Sequence, residues 1–430
     1  MKQEKNQGGT ALLPLVVFIL LFVGTGIITG DFTSMPIPVA VIIASIVAFF
    51  IHFKEPFEEK FKAYLSGASQ NNIILMVIIF ILAGAFSEVA GAMGAVESTV
   101  NLGLTLLPVH LLLSGLFIIC CFVSFAMGTS TGTVVAIVPI AIELANQTDI
   151  ALPLAVATVI GGAMFGDNLS FISDTTIVAT RSQEVRMIDK FRVNVLIILP
   201  SAVITTVILY FMTMNASITS TGQFDYQLIE ILPYFAVIVI ALFGVDVIIV
   251  LISGIIIAGV LGFSTGAFDG IGFITAAGDG IESMQTISII AILIGGMIGL
   301  IRHYGGIDYM LNLIRSKIRT KKGAEFGIAG LVSVTDIGTA NNTISIIMTG
   351  PLAKDIADEY GVDRRKSASI LDIFAAGFQG IIPYGGQMLA AAGFASTISP
   401  IEVMPYSIYP ALLLIAGAIA IWAGFPRKYS

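Results

Sequence analysis

The sequence predicts an all-α polytopic membrane protein built from two inverted-topology repeats, each with a hairpin and a discontinuous transmembrane helix. Three observations predict it. Of 430 residues, 56% are hydrophobic and only 11% charged, and a mean hydropathy of +0.97 is foreign to soluble domains. The 21 lysines and arginines fall in six places and leave the loops between them bare. The same order of elements also occurs twice along the chain.

Apolar runs near the ~20 residues a bilayer requires mark spans at 11–29, 36–53, 72–90, 193–213, 229–244, 245–263, 284–302 and 405–425. Four stretches, 104–146, 151–180, 323–357 and 367–398, are apolar but interrupted. Met1 to Thr10 ends without a small-residue cleavage site, so the first run is expected to be a retained helix. The bases sit at Lys2 and Lys5, in 54–62, 181–192, 302–322 and 354–366, and at Arg427 and Lys428. The positive-inside rule then puts both termini in the cytoplasm. The same alternation makes 104–146 and 323–357 return to the side they left, as two spans or as one re-entrant hairpin. For 323–357 the hairpin is expected, because Gly323 to Thr335 is too short to cross.

Internal similarity supports a duplication. Ile81 to Gly84 resembles Leu293 to Gly296, and Gly161 to Gly166 resembles Ala375 to Gly380. After an N-terminal helix in 1–35, repeat one covers 36–228 and repeat two 229–430. Each has a helix pair, an amphipathic link (57–70 and 268–283), a helix ending in glycines, a hairpin with a polar tip and a glycine-broken helix. The first hairpin starts from outside and the second from inside, which inverts the halves. Corresponding broken segments in inverted halves point to a transporter's central site.

The polar interruptions supply the candidate residues. Gly166 to Thr176 carries Asp167 and Asp174 among the oxygen-rich Asn168, Ser170, Ser173, Thr175 and Thr176. Intramembrane carboxylates are expensive, and by default suggest an ion or proton pathway; hydroxyl and amide neighbours suit a hard cation. The first tip, with Thr129, Ser130 and Thr131, is expected to face this break and form an ion or proton site, with Na⁺ held by Asp174, Asn168 and Ser130. Asp174 is expected to be the carboxylate that Na⁺ and H⁺ share and Asp167 its helper, helix capping being the competing reading for both. The second tip, with Asp336, Thr339, Asn341, Asn342 and Thr343, is expected to face Gly380, Pro383, Tyr384 and Gln387. That second site would hold another ion or an organic substrate.

Gly166 to Ser170 with Ser173 to Thr176, preceded by Gly161-Gly162-Ala163 and followed by Arg181 and Lys190-Phe191-Arg192-Val193-Asn194, resembles the signature of NhaC-type Na⁺/H⁺ antiporters of the ion transporter superfamily. The resemblance implies two inverted-topology repeats with re-entrant hairpins, a place in the bacterial inner membrane, and a homodimer. It implies Na⁺/H⁺ antiport by alternating access, or Na⁺- or H⁺-coupled transport of an amino acid or small carboxylate. Phe171 stands where proline is frequent, and the first tip lacks the usual tryptophan.

Other features read as structural. Cys120 and Cys121 are adjacent in an apolar run and suggest packing. His52, His110 and His303 do not cluster. Lys317 to Lys322 is a basic stripe suited to lipid headgroups. No nucleic-acid partner is expected, because no aromatic residues are interleaved with these bases and the chain is embedded in the membrane. No Walker loop, zinc spacing or nucleophile triad appears, so neither an enzyme nor a bound cofactor is expected beyond the coupling ions Na⁺ and H⁺.

Overall fold

The structure is a computed structural model and describes residues 9–29, 35–51, 55–171, 173–219, 225–243, 245–306, 308–309, 312, 316, 318–395 and 397–426. Lys2, Lys5, Lys54, Arg315, Lys317, Arg427 and Lys428, which help orient the chain in the sequence reading, lie outside these residues, as do His52 and Ile172.

Among the described residues the regular structure is helical, apart from one isolated bridge between Thr148 and Ile218. The first half runs α1 (Leu13–Thr29), α2 (Ile37–Ile51), α3 (Phe57–Ala68), α4 (Asn71–Ala92), α5 (Ala95–Leu106), α6 (Val109–Met127), α7 (Ser130–Gln147), α8 (Leu152–Leu169), α9 (Asp174–Ser182) and α10 (Met187–Thr213). The second runs α11 (Leu228–Leu242), α12 (Val247–Thr265), α13 (Gly270–Ser283), α14 (Gln285–His303), α15 (Lys321–Thr339), α16 (Asn342–Tyr360), α17 (Arg364–Gln379), α18 (Gly386–Phe394), the short α19 (Pro400–Val403) and α20 (Ile408–Trp422). Element bounds recur at a fixed spacing. Val109 and Lys321, Met127 and Thr339, Asp174 and Gly386, and Ser182 and Phe394 are each 212 residues apart.

Several spans are long and apolar enough to cross a membrane, among them Ile73–Ala92, Met187–Thr213 and Val247–Thr265. α10 shows how such a helix is used: Leu196 and Val203 are exposed, while Ile198 and Leu209 on the other side of the helix are buried. An outward apolar face of this kind is what lipid requires.

Three elements differ from the sequence reading. The stretch 91–103, expected to be a loop, largely forms α5, which is tied to the start of the second half and the segment before it: Ser98 donates to Glu230 Oε2 at 2.5 Å and Asn101 Nδ2 to the Asp225 carbonyl at 2.8 Å. The length argument for a re-entrant 323–357 fails, because α15 continues helically through Ser333, Thr335 and Asp336 for 19 residues, about 28 Å. The span read as 405–425 is α20 joined through a 54° bend to Pro400–Tyr406, where the prolines lack the N–H groups a continuous helix needs.

Both hairpin turns share one backbone design. Gly128 and Ala340 close α6 and α15 in the left-handed conformation, and Thr129 and Asn341 follow in extended conformation and cap the next arm. Thr129 Oγ1 accepts from the Gly132 N–H, and Asn341 Oδ1 from the Ile344 N–H. Close glycine contacts bring the elements together. A Cβ at Gly162 would sit 2.6 Å from the Phe117 carbonyl oxygen, so only glycine lets α8 lie this close to α6. Gly67 and Gly299 do the same for α3 on α14, and Gly84 and Gly280 for α4 on α13. The amphipathic links are thereby packed on the opposite half.

Candidate ion-binding site

Each broken helix resumes against the other half's hairpin. α9 packs on α16, where Gln183 Nε2 donates to the Gly350 carbonyl at 2.8 Å, and α18 packs on α7, where Gln387 Nε2 donates to Ser130 Oγ at 2.8 Å. Each tip meets its own break, Ser130 at Asp167 and the Ala340 carbonyl at Gln379, but the two clusters expected to be separate are joined. Both tips and both breaks line a single cavity of about 100 Å³. Its walls are Gly128, Thr129, Ser130 and Thr131, then Asp167, Ser173, Asp174 and Thr175, then Ala340, Asn341, Asn342 and Thr343, and finally Gln379, Gly386 and Gln387, with Leu75, Met76 and Ile79 of α4.

Asp167 is the chemical centre of this cavity. It lies in the last turn of α8, 5% exposed. Ser130 Oγ donates to its Oδ2 at 2.9 Å and Ser173 Oγ to its Oδ1 at 2.5 Å. Ser173 has one proton and gives it to Asp167, so Thr175 Oγ1, 2.9 Å away, donates to Ser173. On the other side Gln379 Nε2 donates to Gln387 Oε1 at 2.8 Å, and Gln387 donates to Ser130. Two directional chains thus end on one carboxylate, one of them starting in the second half. Asp174, by contrast, is exposed at the first residue of α9. Both acids line the cavity, the expected helper Asp167 buried and the expected shared carboxylate Asp174 exposed.

Asn168 is the site residue the structure moves furthest. Its side chain faces away from the cavity into a second polar cluster, where Nδ2 donates to the Asp372 carbonyl at 2.9 Å and Oδ1 accepts from Asn194. The expected Na⁺ set of Asp174, Asn168 and Ser130 is not brought together, because this amide is already occupied. In the same cluster Lys190 Nζ donates to the Asn168 carbonyl at 2.6 Å, to Thr176 Oγ1 at 2.8 Å and to the Asp372 carboxylate. All three ammonium protons are used. The C-terminal end of a half-helix is electronegative, and a fixed ammonium occupies it here.

Of the expected second-half residues, Asn341, Asn342, Thr343 and Gln387 reach the cavity; Asp336, Thr339, Gly380, Pro383 and Tyr384 are not among its lining residues. Thr339 donates to the Asn341 carbonyl at 3.2 Å, Tyr384 to the Ile337 carbonyl at 2.9 Å, and Gly380 packs beneath Pro410. Sequence reasoning missed Gln379, although it stands within the repeated glycine motif, and the pair Lys366–Glu325; for Asp372 it weighs pairing with a cytoplasmic base against a site role, and the structure pairs it with Lys190 of the 181–192 stretch. Both lysines had been read as cytoplasmic loop bases. The carboxylate of Glu325 inside an apolar stretch was the available signal.

A carboxylate with three hydroxyls is an oxygen set suited to a hard monovalent cation. Among the described residues no three His, Cys, Asp or Glu side chains are grouped so that they could hold a metal ion. The profile of the Na⁺/H⁺ antiporter family matches residues 6–216 and again 212–425. The chain belongs to this family. The double match falls on the two halves that the helix bounds define. The Na⁺/H⁺ antiporter NhaC of Bacillus subtilis (strain 168) is 27% identical over 395 residues, covering 83% of this chain and 84% of that protein. The malate-2H⁺/Na⁺-lactate antiporter of the same organism is 24% identical over 384 residues, 82% of this chain and 81% of that one. Among solved structures, the YdaH transporter of Alcanivorax borkumensis superposes with a TM-score of 0.41 and 13% identity, over 97% of this chain and 98% of that chain. This member of the antiporter family is a multi-pass membrane transporter and not an enzyme.

Proposed function

We propose that the protein exchanges Na⁺ for H⁺ by alternating access, the two ions contending for Asp167. The observation that carries this reading is a buried carboxylate, at the junction of both tips and both breaks, whose side-chain donors are hydroxyls. Bound Na⁺ would draw the hydroxyl lone pairs of Ser130, Ser173 and Thr175 inward while Asp167 balances its charge. A proton on Asp167 would instead make it a donor. Ser130, already accepting from Gln387, would then have to redirect its own hydrogen, so the Gln387–Ser130–Asp167 link registers which ion is present. The base distribution supports cytoplasmic termini in a bacterial cell membrane. In proteoliposomes Asp167→Asn is expected to abolish Na⁺-driven proton flux; full flux with an unchanged pH profile would remove Asp167 from this role.

A second reading is coupled transport of an amino acid or small carboxylate. It is favoured by the side chains of Asn341, Asn342, Thr343 and Gln387 on the same cavity, and by the similarity to a malate/lactate antiporter. The cavity volume favours ions in this conformation: about 100 Å³ holds several waters, whereas small-molecule pockets run to roughly 300–1,000 Å³. Flux that requires an added organic solute would select the second reading, and flux with none the first.

A further inference from the structure

Four acids are buried among the described residues, namely Asp167, Glu325, Asp336 and Asp372. Three have partners. Glu325 lies 2.8 Å from Lys366, Asp372 pairs with Lys190, and Asp167 accepts from two hydroxyls. Asp336 is 0% exposed, and neither of its carboxyl oxygens has a partner in good hydrogen-bond geometry, the Ser345 hydroxyl being the donor beside it. The third buried base, Lys60, donates to the Phe49 carbonyl at 2.7 Å. No buried ammonium among the described residues is left to balance Asp336.

Packing does not explain the residue. Ser124 stands 212 positions earlier in the matching arm α6, and its hydroxyl donates to the Ala163 carbonyl across to α8 at 2.6 Å. That contact needs only a small neutral group. The second half places a carboxylate at the same point, without the equivalent bond. Its surroundings attract positive charge, because Asp336 lies in the last turn of α15, the negative end of the helix dipole. Nearby donors are used elsewhere. The Tyr384 hydroxyl donates to the Ile337 carbonyl at 2.9 Å, and Ser345 donates to the Asn342 carbonyl at 2.7 Å, leaving its lone pairs free to meet a cation. Asn342 Nδ2 and Gln379 Oε1 are likewise buried without partners, and Ala340 at the tip holds φ +51°, a strained conformation for a non-glycine residue. A buried carboxylate with no countercharge and no more than one hydroxyl beside it is strongly disfavoured, so a positive species has to accompany it whenever it is ionised.

We propose that Asp336 is the carboxylate of a second monovalent-cation site, held within the second hairpin and separate from the Asp167 cavity, which takes up Na⁺ or H⁺ during the transport cycle. The binding part of the proposal stands apart from the Asp167 reading, while its flux part rests on it. The test uses the purified full chain for ²²Na⁺ binding stoichiometry, and proteoliposomes for the number of protons exchanged per Na⁺. If the ligand is Na⁺, the wild type binds two ions per chain, and Asp336→Asn and Asp167→Asn one each. If it is H⁺, the Na⁺ count is one in both the wild type and Asp336→Asn, and the protons exchanged per Na⁺ fall about twofold in Asp336→Asn. Unchanged binding and an unchanged ratio in Asp336→Asn overturn the proposal. Should that variant bind Na⁺ at Asp167 but fail to transport, restored flux in Asp336→Glu supports a cation-carrying carboxyl, and no restoration overturns it. Failure of the Asp167 reading shows separately, as Asp167→Asn that retains both Na⁺ binding and exchange.

Discussion

The two hairpin tips share a backbone and differ in chemistry. Gly128-Thr129-Ser130 and Ala340-Asn341-Asn342 make the same left-handed turn followed by the same extended cap. Around the first, Ser130, Asp167, Ser173 and Thr175 are all hydrogen-bonded to one another or to Gln387. Around the second, Asp336, Asn342 and Gln379 each leave buried polar atoms without partners. The repeat therefore sets where polar groups gather, and the side chains decide what each gathering can hold. Both buried ion pairs are also one-sided. Lys366 and Glu325 correspond to Leu154 and Leu113, 212 residues earlier, and Asp372 to Ile160. The first half meets these positions with apolar packing, and the second with charge.

The largest expected effect that could break this contrast is the loss of exchange in Asp167→Asn described above. Next is stability. Lys190→Met leaves Asp372 buried without its ammonium, which costs about 3–5 kcal/mol, and is expected to lower unfolding stability in detergent by that order. The double change Lys190→Met with Asp372→Leu should recover most of the loss. No recovery would mean that Lys190 matters mainly through the Asn168 carbonyl and Thr176. Gln387→Leu severs this link between the halves, leaving Gln379 Nε2 only its bond to the Ala340 carbonyl and removing the donor to Ser130. A cost of roughly 1–3 kcal/mol is expected, with Na⁺ binding affected as well as stability. Stability loss with unaltered Na⁺ affinity would show that the link only holds the halves together. Asp174→Asn, at the exposed start of α9, should weaken apparent Na⁺ affinity only roughly two- to fivefold, the scale of an exposed charge. Abolished exchange there would return the shared role to Asp174.

The interruptions were legible because polar residues stand out in apolar runs. Gly128 to Thr133, Gly166 to Asp174, Asp336 to Thr343 and Gly380 to Gln387 all fall at or beside helix ends. Their assembly into one cavity was not legible, since it depends on α9 crossing to α16 and α18 to α7, contacts between residues more than a hundred positions apart. The depths of Asp167 and Asp174 were hidden for a local reason. Helical periodicity predicts direction only within a continuous helix, and the break between α8 and α9 separates the two acids. Lys60, Lys190 and Lys366 misled in another way. Each lies near the end of an apolar segment, where a base reads as a cytoplasmic marker, yet each is buried with its ammonium bonded or paired inside the protein.

The smallest effect sharpens the comparison most, because it isolates the backbone from the side chains. Gly128 has φ +68° and Ala340 φ +51°, so the same turn is made once with the residue that tolerates it and once without. An L-residue in this region is disfavoured by roughly 1–2 kcal/mol, whereas replacing alanine by glycine enlarges the unfolded ensemble at a cost of about 0.4–1 kcal/mol. Gly128→Ala should therefore destabilise by about 1 kcal/mol, and Ala340→Gly should be neutral or stabilise by up to about 1 kcal/mol. Chemical unfolding of the detergent-solubilised chain measures both. If Ala340→Gly stabilises the fold yet slows exchange, the strain at the second tip is part of how that hairpin moves. If it stabilises the fold and leaves exchange untouched, the asymmetry that matters lies in Asp336 and its neighbours, not in the turn.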